Sequence, residues 1–418
     1  MAIVQLRSPT GAPINLSVRP GSITAIEDNR TAFTFDDAGR LLSAFVDGRT
    51  YRRSLANDVL EKGPGLAHAG RVRRARRLLA RDEIEQLENL AYQFAAEIRA
   101  WLAGTAGGGQ PDPDRDQALD ALARVATYSF ARLEQERNIY RAIYGRVPIM
   151  PPDQYMALAL QATEGCSFNA CAFCGFYRDR RFRVKSPDEF RRHIAEVKAF
   201  LGRGLSLRQS IFLGDANALL LPEPALMDIF DALRESFEIG PGNGVSSSAR
   251  PRMKGVYSFI DAFSTRRKTW AEFAELATRG LRRVYVGLET GDAELLKFLG
   301  KPNTPEDVAA LVGRLKQAGV SVGVIILIGA GGRVFAGRHV ANTTALLSEM
   351  PLDAGDVVYL SELLDYPGSE YAARAAQAGI DPLSVEETEE QAHAIRRALR
   401  AARQGPVVSF YDVREFVY

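Results

Sequence analysis

The sequence predicts an α/β fold, because about six strand–helix units are expected after an N-terminal α+β extension.

 Those units lead to the prediction of a partial (β/α)6 barrel. From Tyr155 onward, short apolar runs alternate with amphipathic segments, a pattern that favours parallel strands joined by crossover helices. About six such units are present, fewer than a closed barrel needs. The chain of 418 residues, with 46% apolar and 25% charged residues, is also long enough for more than one folding unit.

The barrel prediction rests on particular runs of residues. The predicted strands are Met156–Ala162, Ser210–Leu213, Gly244–Ser248, Arg283–Val286, Val322–Leu327 and Val357–Leu360. The predicted helices are Pro187–Leu201, Pro222–Ser236, Thr269–Arg279, Pro305–Gln317 and Ala341–Glu349. Active sites in parallel sheets lie at the carboxyl ends of the strands, so functional residues are expected directly after the strand runs.

The chain on either side of the barrel has a different pattern. Short β-prone runs such as Thr31–Phe35, separated by turn residues, occupy the N-terminus. Apolar residues recur every three to four positions from about Arg71 to Ala103, and a Gly/Pro/Asp-rich break at Thr105–Asp116 precedes a second helical pattern. The predicted segments are a small β subdomain (1–62), a helical segment (63–150), the barrel (151–372) and a C-terminal helical cap (373–418).

Charge and hydropathy restrict the possible partners. The 53 basic and 51 acidic residues give a net charge of +2, which supplies no general field for nucleic acid or an anionic membrane. The basic run Arg71–Arg77 is compatible with a nucleic-acid contact, but the acidic stretch Asp82–Glu88 after it favours a solvated, self-neutralising helix face. No apolar stretch approaches the roughly 20 residues of a membrane-spanning helix, and Met1–Asn15 lacks the pattern of a secretion signal. A cytoplasmic location without membrane association is therefore expected.

All three cysteines lie on one short loop after the first predicted strand. Cys166, Cys171 and Cys174 are spaced C-x4-C-x2-C, whereas a secreted disulfide framework would spread an even number of cysteines along the chain. Three thiolates can hold three irons of a [4Fe–4S] cluster and leave the fourth iron open. The alternatives are a structural zinc site or three unlinked buried thiols. Zinc normally takes a fourth protein ligand, and the nearest downstream histidine, His193, falls inside a predicted helix.

These motifs resemble the radical S-adenosylmethionine (radical SAM) superfamily. In that superfamily a three-cysteine loop follows the first strand, usually with C-x3-C-x2-C spacing, so this loop has one extra residue. The segments Tyr285–Gly291 (YVGLETG) and Leu299–Pro302 (LGKP) resemble a signature of the branch that contains coproporphyrinogen oxidase, methylthiotransferase and Elongator-type domains. Leu364–Glu370 resembles the P-G-[ST] element that closes many of these barrels. The resemblance covers roughly residues 156 to 371.

The resemblance implies two cofactors, a [4Fe–4S] cluster and S-adenosylmethionine. Gly214 and Asp215 stand where the superfamily has a Gly-Gly-Glu-like turn near the methionine amino group, and Glu289 is implied to hold the ribose or the sulfonium region. The run Val322–Gly332 lacks the Lys-Ser/Thr of a phosphate-binding loop and corresponds to the strand that lines the adenine pocket. The implied metal ligands are Cys166, Cys171 and Cys174. The implied cofactor-binding residues are Phe173, Phe176, Gly214, Asp215, Ser246, Ser248, Arg250, Glu289 and Leu327.

The residues of the predicted third strand exit leave an alternative open. Ser246, Ser248 and Arg250 offer hydroxyls and a guanidinium suited to a ribose or a carboxylate, but an ordinary polar strand exit has the same composition. If a protein radical relay is used, tyrosine must carry it, because every cysteine is committed to the cluster. The candidate catalytic residues are Tyr177, Tyr359 and Tyr366.

The implied function is a radical SAM enzyme. It would cleave S-adenosylmethionine reductively to a 5′-deoxyadenosyl radical that abstracts hydrogen from a small or medium-sized substrate, with electrons from a flavodoxin- or ferredoxin-type donor. The absence of further cysteines in this sequence argues against a second cluster or a methyl-carrying cysteine. Two alternatives remain: an RNA- or peptide-modifying radical SAM enzyme, and a non-catalytic protein that binds a metal or cluster.

Overall fold

The computed structural model describes residues 1–63, 66–68, 71–73, 75–104, 112–240, 250–364, 368–400 and 405–418. The chain forms two compact units. Unit 1 comprises Met1–Pro148, His193–Gln209 and Arg414–Tyr418, and unit 2 comprises Ile149–Arg192 and Ser210–Val413. The predicted class, an α/β fold with an N-terminal α+β extension, is confirmed.

Unit 1 contains an antiparallel sheet of eight strands whose order follows the chain. Alternate residues of its strands are buried, as Ile14, Leu16 and Val18 show in the second strand, because one face of the sheet packs into a core. The strands of this sheet are β1 (Ala2–Arg7), β2 (Pro13–Arg19), β3 (Ser22–Glu27), β4 (Thr31–Asp36), β5 (Leu41–Val46), β6 (Arg49–Arg53), β7 (Val59–Lys62) and β10 (Arg76–Leu78). Two further strands, β8 (Leu66–His68) and β9 (Arg71–Arg73), pair only with each other.

Three helices of unit 1 supply the rest of this core: α1 (Arg81–Gly104), α2 (Pro113–Val125) and α3 (Phe130–Ile143). Helix α1 buries Ile84, Ala91 and Ile98 at the spacing of one helix face. Its Phe94 meets Phe33 of β4, with the ring centroids 5.6 Å apart. Helix α2 begins where the Asp112 side chain accepts hydrogen bonds from two backbone N–H groups.

The sheet of unit 1 extends beyond the predicted β segment. Strand β10 pairs with β7, so helix α1 starts at Arg81 and not near Arg71. The register places Arg77 opposite Glu61, and the Arg77 guanidinium bonds the carboxylates of Glu61 at 2.9 Å and Glu83 at 2.7 Å. Acidic neighbours thus partly neutralise the basic run, as expected. The paired Arg77, however, lies on strand β10 and not on a helix face.

Helix α1 also buries a carboxyl group. Glu88 is fully buried, and burial raises its pKa to about 7 against the attraction of Arg53, which lowers it. At a pH between the unfolded and the folded pKa values, this carboxyl is protonated in the folded protein and ionised in the unfolded chain. Folding stability must therefore fall as pH rises through that interval.

We predict that Glu88→Gln removes this pH dependence. Between about pH 4.5 and pH 7 the wild-type protein should lose roughly 3 kcal/mol of unfolding free energy relative to the variant, since one pKa unit corresponds to about 1.4 kcal/mol. Urea unfolding at a series of pH values measures the difference. Glu85→Gln, at an exposed position of the same helix, is the control. Parallel pH profiles for wild type and Glu88→Gln would contradict the prediction.

Unit 2 contains seven parallel strands in chain order, one more than predicted. The additional strand, Val407–Tyr411, pairs with Val357–Glu362 and lies in the C-terminal segment that was expected to be helical. The predicted third strand, Gly244–Ser248, lies outside the described residues, and Val256–Ile260 holds the third place in the sheet. The seven strands are β11 (Leu158–Gln161), β14 (Ile211–Gly214), β17 (Val256–Ile260), β18 (Leu281–Glu289), β19 (Ser321–Ile328), β20 (Val357–Glu362) and β21 (Val407–Tyr411).

Short ladders and helices complete the unit. The ladders are β12 (Thr163–Glu164) with β13 (Arg183–Val184), and β15 (Glu238–Ile239) with β16 (Arg252–Met253). The helices of unit 2 are α5 (Glu223–Ser236), α6 (Trp270–Thr278), α7 (Ala293–Phe298), α8 (Pro305–Gln317), α9 (Gly332–Glu349), α10 (Glu370–Gln377) and α11 (Val385–Arg400). Helix α4 (Pro187–Leu201) begins in unit 2 and continues from His193 in unit 1. Helices α4 and α8 have the bounds that the sequence predicts. None of the described helices is both long and apolar enough to span a membrane.

A polar network joins the amino-terminal halves of the central strands. The Asp153 carboxylate accepts hydrogen bonds from the hydroxyls of Tyr285 at 2.6 Å and Tyr359 at 2.7 Å, and from the Arg283 guanidinium at 2.8 Å. Charge-assisted bonds of this kind are stronger than bonds between neutral groups. The network therefore ties β18 and β20 to the segment that precedes β11.

Candidate functional site

A cavity of about 580 Å³ lies within unit 2 at the carboxyl ends of the parallel strands. Each of the seven strands, or the loop that follows it, contributes to its wall. This is the edge of a parallel sheet at which ligands are expected to bind. Much of the wall is aromatic, and Phe168 packs edge-to-face on Phe263 with the ring centroids 5.1 Å apart.

The cysteine loop forms one side of the cavity. Cys166, Cys171 and Cys174 are half-buried and all line it. Asn169 adopts a left-handed backbone conformation, with φ of 48°, and its N–H lies 3.3 Å from the Cys166 sulfur. This turn accommodates the longer spacing between the first two cysteines. The exposed Arg178 donates to the carbonyls of Cys171 and Cys174, both at 2.9 Å, and so holds the second half of the loop.

The thiols lie in surroundings that disfavour an isolated negative charge. Burial raises the pKa of Cys171 to about 12 and that of Cys174 to about 11. A metal centre would supply the positive charge that such thiolates need. Within the described part of the chain, no three His, Cys, Asp or Glu side chains are gathered closely enough to hold a single metal ion. The donor set of three soft sulfurs facing one cavity fits an iron–sulfur cluster with an open iron.

Gly214 and Asp215 lie behind the cysteine loop and are not among the cavity-lining residues. The Asp215 carboxylate accepts the Gly165 N–H at 2.9 Å and the Gln161 amide at 2.7 Å, and Arg180 lies 3.5 Å from it. Both carboxylate oxygens thus accept hydrogen bonds from the protein, and one of these donors is Gly165, which directly precedes Cys166 in the chain. The expectation that Asp215 meets a ligand is corrected: its bonds position the loop.

The neighbouring Asn217 was not predicted, yet it lines the cavity. Its side chain is 98% buried, as only 2% of the residue is exposed. Its amide nitrogen donates to the Asp261 carboxylate and to the Ser264 hydroxyl, whereas its oxygen has no hydrogen-bond partner among the described residues. A buried acceptor without a partner is costly, so it indicates a place for a ligand donor. Its position two residues after the Gly214-Asp215 turn at a strand end was the available sequence signal.

Glu289 and Lys301 form a buried ion pair in the cavity wall. The Lys301 ammonium lies 2.9 Å from a Glu289 carboxylate oxygen and 2.7 Å from the Gly287 carbonyl. The pairing of β18 with β19 is irregular between Gly287 and Glu289, and Glu289 has a left-handed φ of 64°. A Cβ at position 287 would lie 2.2 Å from the same carboxylate oxygen. A side chain at position 287 would therefore displace the Glu289 carboxylate from its place in the pair. Glu289 was expected at the site, whereas its partner Lys301 was not predicted as a site residue.

The other expected site residues divide into two groups. Phe173, Phe176, Tyr177 and Leu327 line the cavity, as expected. Tyr359 is not among the residues that line it, and its hydroxyl binds Asp153 in the network described above. Its ring centroid lies 6.5 Å from that of Tyr285, which does line the cavity.

The third strand exit also differs from the prediction. Arg250 is exposed, precedes β16 and donates to the Arg234 carbonyl at the end of α5, away from the cavity-lining residues. Its expected role at the cofactor is therefore corrected. Asp261, which directly follows β17, lines the cavity instead. Ser246, Ser248 and Tyr366 lie outside the described residues.

We predict that Asp215→Asn loosens the cysteine loop. The amide nitrogen of asparagine cannot accept the hydrogen bonds that a carboxylate oxygen accepts, and a lost bond to a charged group corresponds to roughly 1.5–3 kcal/mol. Alkylation of the cysteines in the metal-free protein should become about tenfold faster. Asp179→Asn removes an exposed carboxylate from Arg180 but leaves the Gly165 bond, and it should not change the rate. Equal rates in both variants would refute the role of Asp215.

Comparison with known proteins gives a family for this region. Residues 160–333 match the sequence model of the Radical SAM superfamily. No curated protein matches the chain. Similar solved structures include coproporphyrinogen III oxidase (HemN) from Escherichia coli, with 15% identity, a TM-score of 0.42, and coverage of 63% of this chain and 56% of that chain.

Two further similar structures have comparable scores. The [FeFe]-hydrogenase maturase HydG shows 15% identity and a TM-score of 0.39, covering 78% of this chain and 66% of that chain. Elp3 from Methanocaldococcus infernus shows 14% identity and a TM-score of 0.37, covering 61% and 56%. The chain thus spans little more than half the length of coproporphyrinogen III oxidase. The family match includes the cysteine loop and the Glu289–Lys301 pair, and it assigns residues 160–333 to the radical SAM superfamily, whose enzymes use a [4Fe–4S] cluster together with S-adenosylmethionine.

Proposed function

We propose that unit 2 holds a [4Fe–4S] cluster through Cys166, Cys171 and Cys174, cleaves S-adenosylmethionine there, and acts on a small or medium-sized substrate in the same cavity. The observation that carries this proposal is the convergence of the three thiols on one cavity built from all seven strands. When bound, the cluster and cofactor supply a 5′-deoxyadenosyl radical that removes hydrogen from a substrate C–H bond.

The protein's own residues bind and orient the cofactor and shield the cavity from water. The Asn217 oxygen is placed to accept a hydrogen bond from a donor group of the cofactor, since it is buried and has no partner among the described residues. Glu289 presents a carboxylate to the same cavity. The aromatic walls, including Phe168 and Phe263, exclude water, which protects a radical from unwanted hydrogen donors.

The proposed electron donor is a flavodoxin- or ferredoxin-type protein. The described side chains of the basic run in unit 1 give no support to a role on RNA, because Arg77 pairs with Glu61 and Glu83, and Arg76 pairs with Glu415. A small or medium-sized molecule is the substrate class of this proposal.

We predict that Cys171→Ala abolishes both cluster assembly and cofactor cleavage, because a thiolate ligand is lost. Anaerobic reconstitution, followed by dithionite and S-adenosylmethionine, tests this through the visible absorption of the cluster and the yield of 5′-deoxyadenosine. Ser167→Ala, on the same loop, is the control and should retain both. If the wild-type protein assembled a cluster but released neither 5′-deoxyadenosine nor methionine, the proposed chemistry would be wrong and a non-catalytic role would be favoured.

We also predict that Asn217→Ala weakens S-adenosylmethionine binding about tenfold while the cluster content stays unchanged, since one hydrogen bond of roughly 1–2 kcal/mol is lost. Equilibrium binding to the reconstituted, oxidised protein measures the affinity. Asn342→Ala is the control, because the Asn342 amide binds Asp292 and the residue does not line the cavity. Unchanged affinity in Asn217→Ala would remove this residue from the cofactor site.

A further inference from the structure

The Glu289–Lys301 pair lies against the cysteine loop. The N–H of Ala172, the residue after Cys171, donates to the Leu299 carbonyl at 2.9 Å. A Cβ at Gly300 would lie 3.5 Å from the Ala170 carbonyl oxygen and 3.5 Å from the Ala172 nitrogen. The backbone of residues 299–300 is therefore in contact with the backbone around Cys171. Lys301 comes next in the chain and faces the same cavity as the thiols.

Both members of the pair are shielded from solvent. The Lys301 and Glu289 side chains are 8% and 10% exposed. Charges held in such surroundings act on their neighbours much more strongly than surface charges do. A buried ion pair is also seldom more stabilising than apolar residues of similar volume. Its presence at a ligand cavity therefore suggests a role other than stability.

The two charges act in opposite directions on the cavity. The Lys301 ammonium and the Glu289 carboxylate lie in the wall that also contains Cys171 and Cys174. By Coulomb's law, the ammonium favours extra negative charge at the sulfurs, and the carboxylate opposes it.

We propose that the Glu289–Lys301 pair sets the reduction potential of the cluster, with Lys301 favouring the reduced state and Glu289 limiting that effect. This inference rests on the proposed cluster. The step concerned is the transfer of one electron from the external donor to the oxidised cluster, which gains one negative charge and forms no new bond. Net charge and hydrogen bonding around a cluster are established determinants of its potential. Both residues are positioning residues here, since they act through the field at the cluster.

The test is a potentiometric titration of the reconstituted full-length protein, monitored by the EPR signal of the reduced cluster. Lys301→Met should reduce the equilibrium constant for one-electron reduction at least tenfold, a shift of about 59 mV to more negative potential. Glu289→Gln should shift the potential in the opposite direction. The double variant should lie between the two single variants. General damage to the fold does not predict opposite signs for two partners of one ion pair.

Lys268→Met is the matched control. Lys268 is also largely buried, and its ammonium donates to the Leu221 carbonyl at 2.7 Å and lies 3.8 Å from Glu272, but it does not line the cavity. Its replacement should leave the potential unchanged.

The outcomes separate this inference from the proposed function. A wild-type protein that assembles no cluster would overturn the proposed function. A fully loaded Glu289→Gln protein whose potential equals or falls below that of the wild type would overturn the inference alone. Glu289→Gln decides the matter even if Lys301→Met fails to fold, because glutamine preserves the shape of the side chain.

Discussion

The site depends on one constraint, the placement of charge and thiol groups in an apolar cavity. Sulfur ligands, a carboxylate and an ammonium are all held where water is scarce, and each would be unfavourable there alone. The protein meets this constraint by pairing. Lys301 lies between Glu289 and the Gly287 carbonyl, and Asp215 is fully occupied by groups of the cysteine loop and its neighbours. No ion pair to the three thiols is found among the described residues, and a metal cluster would supply the positive charge that thiolates need.

The fold divides its polar groups between the two ends of the parallel strands. Asp153 collects two tyrosine hydroxyls and a guanidinium toward the amino ends, which fixes the strands relative to one another. The carboxyl ends instead carry loops with partly unsatisfied groups, of which the Asn217 oxygen is the clearest. Between them the strand interior is filled with aromatic rings, such as Phe212 and Phe259 at 5.0 Å. Rigidity lies at one end of the sheet and ligand-directed groups at the other, as expected of parallel α/β folds.

Small backbone features decide which side chains reach the cavity. The irregular pairing at the end of β18 and the left-handed conformation of Glu289 bring its carboxylate beside Gly287, where the lack of a side chain leaves room for it. The left-handed Asn169 does the same for the cysteine loop, since it takes up the extra residue of the C-x4-C spacing. In both cases one residue with unusual backbone geometry aligns a functional group that ordinary strand or turn geometry would direct elsewhere.

The sequence by itself determined the α/β class and the bounds of helices such as α8, because spacing and local periodicity are properties of neighbouring residues. Its motifs, through their resemblance to a known family, also pointed to the three cysteines and Glu289, which line one cavity. It did not determine which way polar side chains face at the strand exits. Asp215 was expected in the cavity and binds Gly165, Asn217 was overlooked and lines the cavity, and Tyr359 binds Asp153. Strand β21 was also missed, since its pairing with β20 joins residues far apart in the chain. These outcomes depend on contacts between distant segments, and only the tertiary structure could decide them because no local pattern records which segments meet.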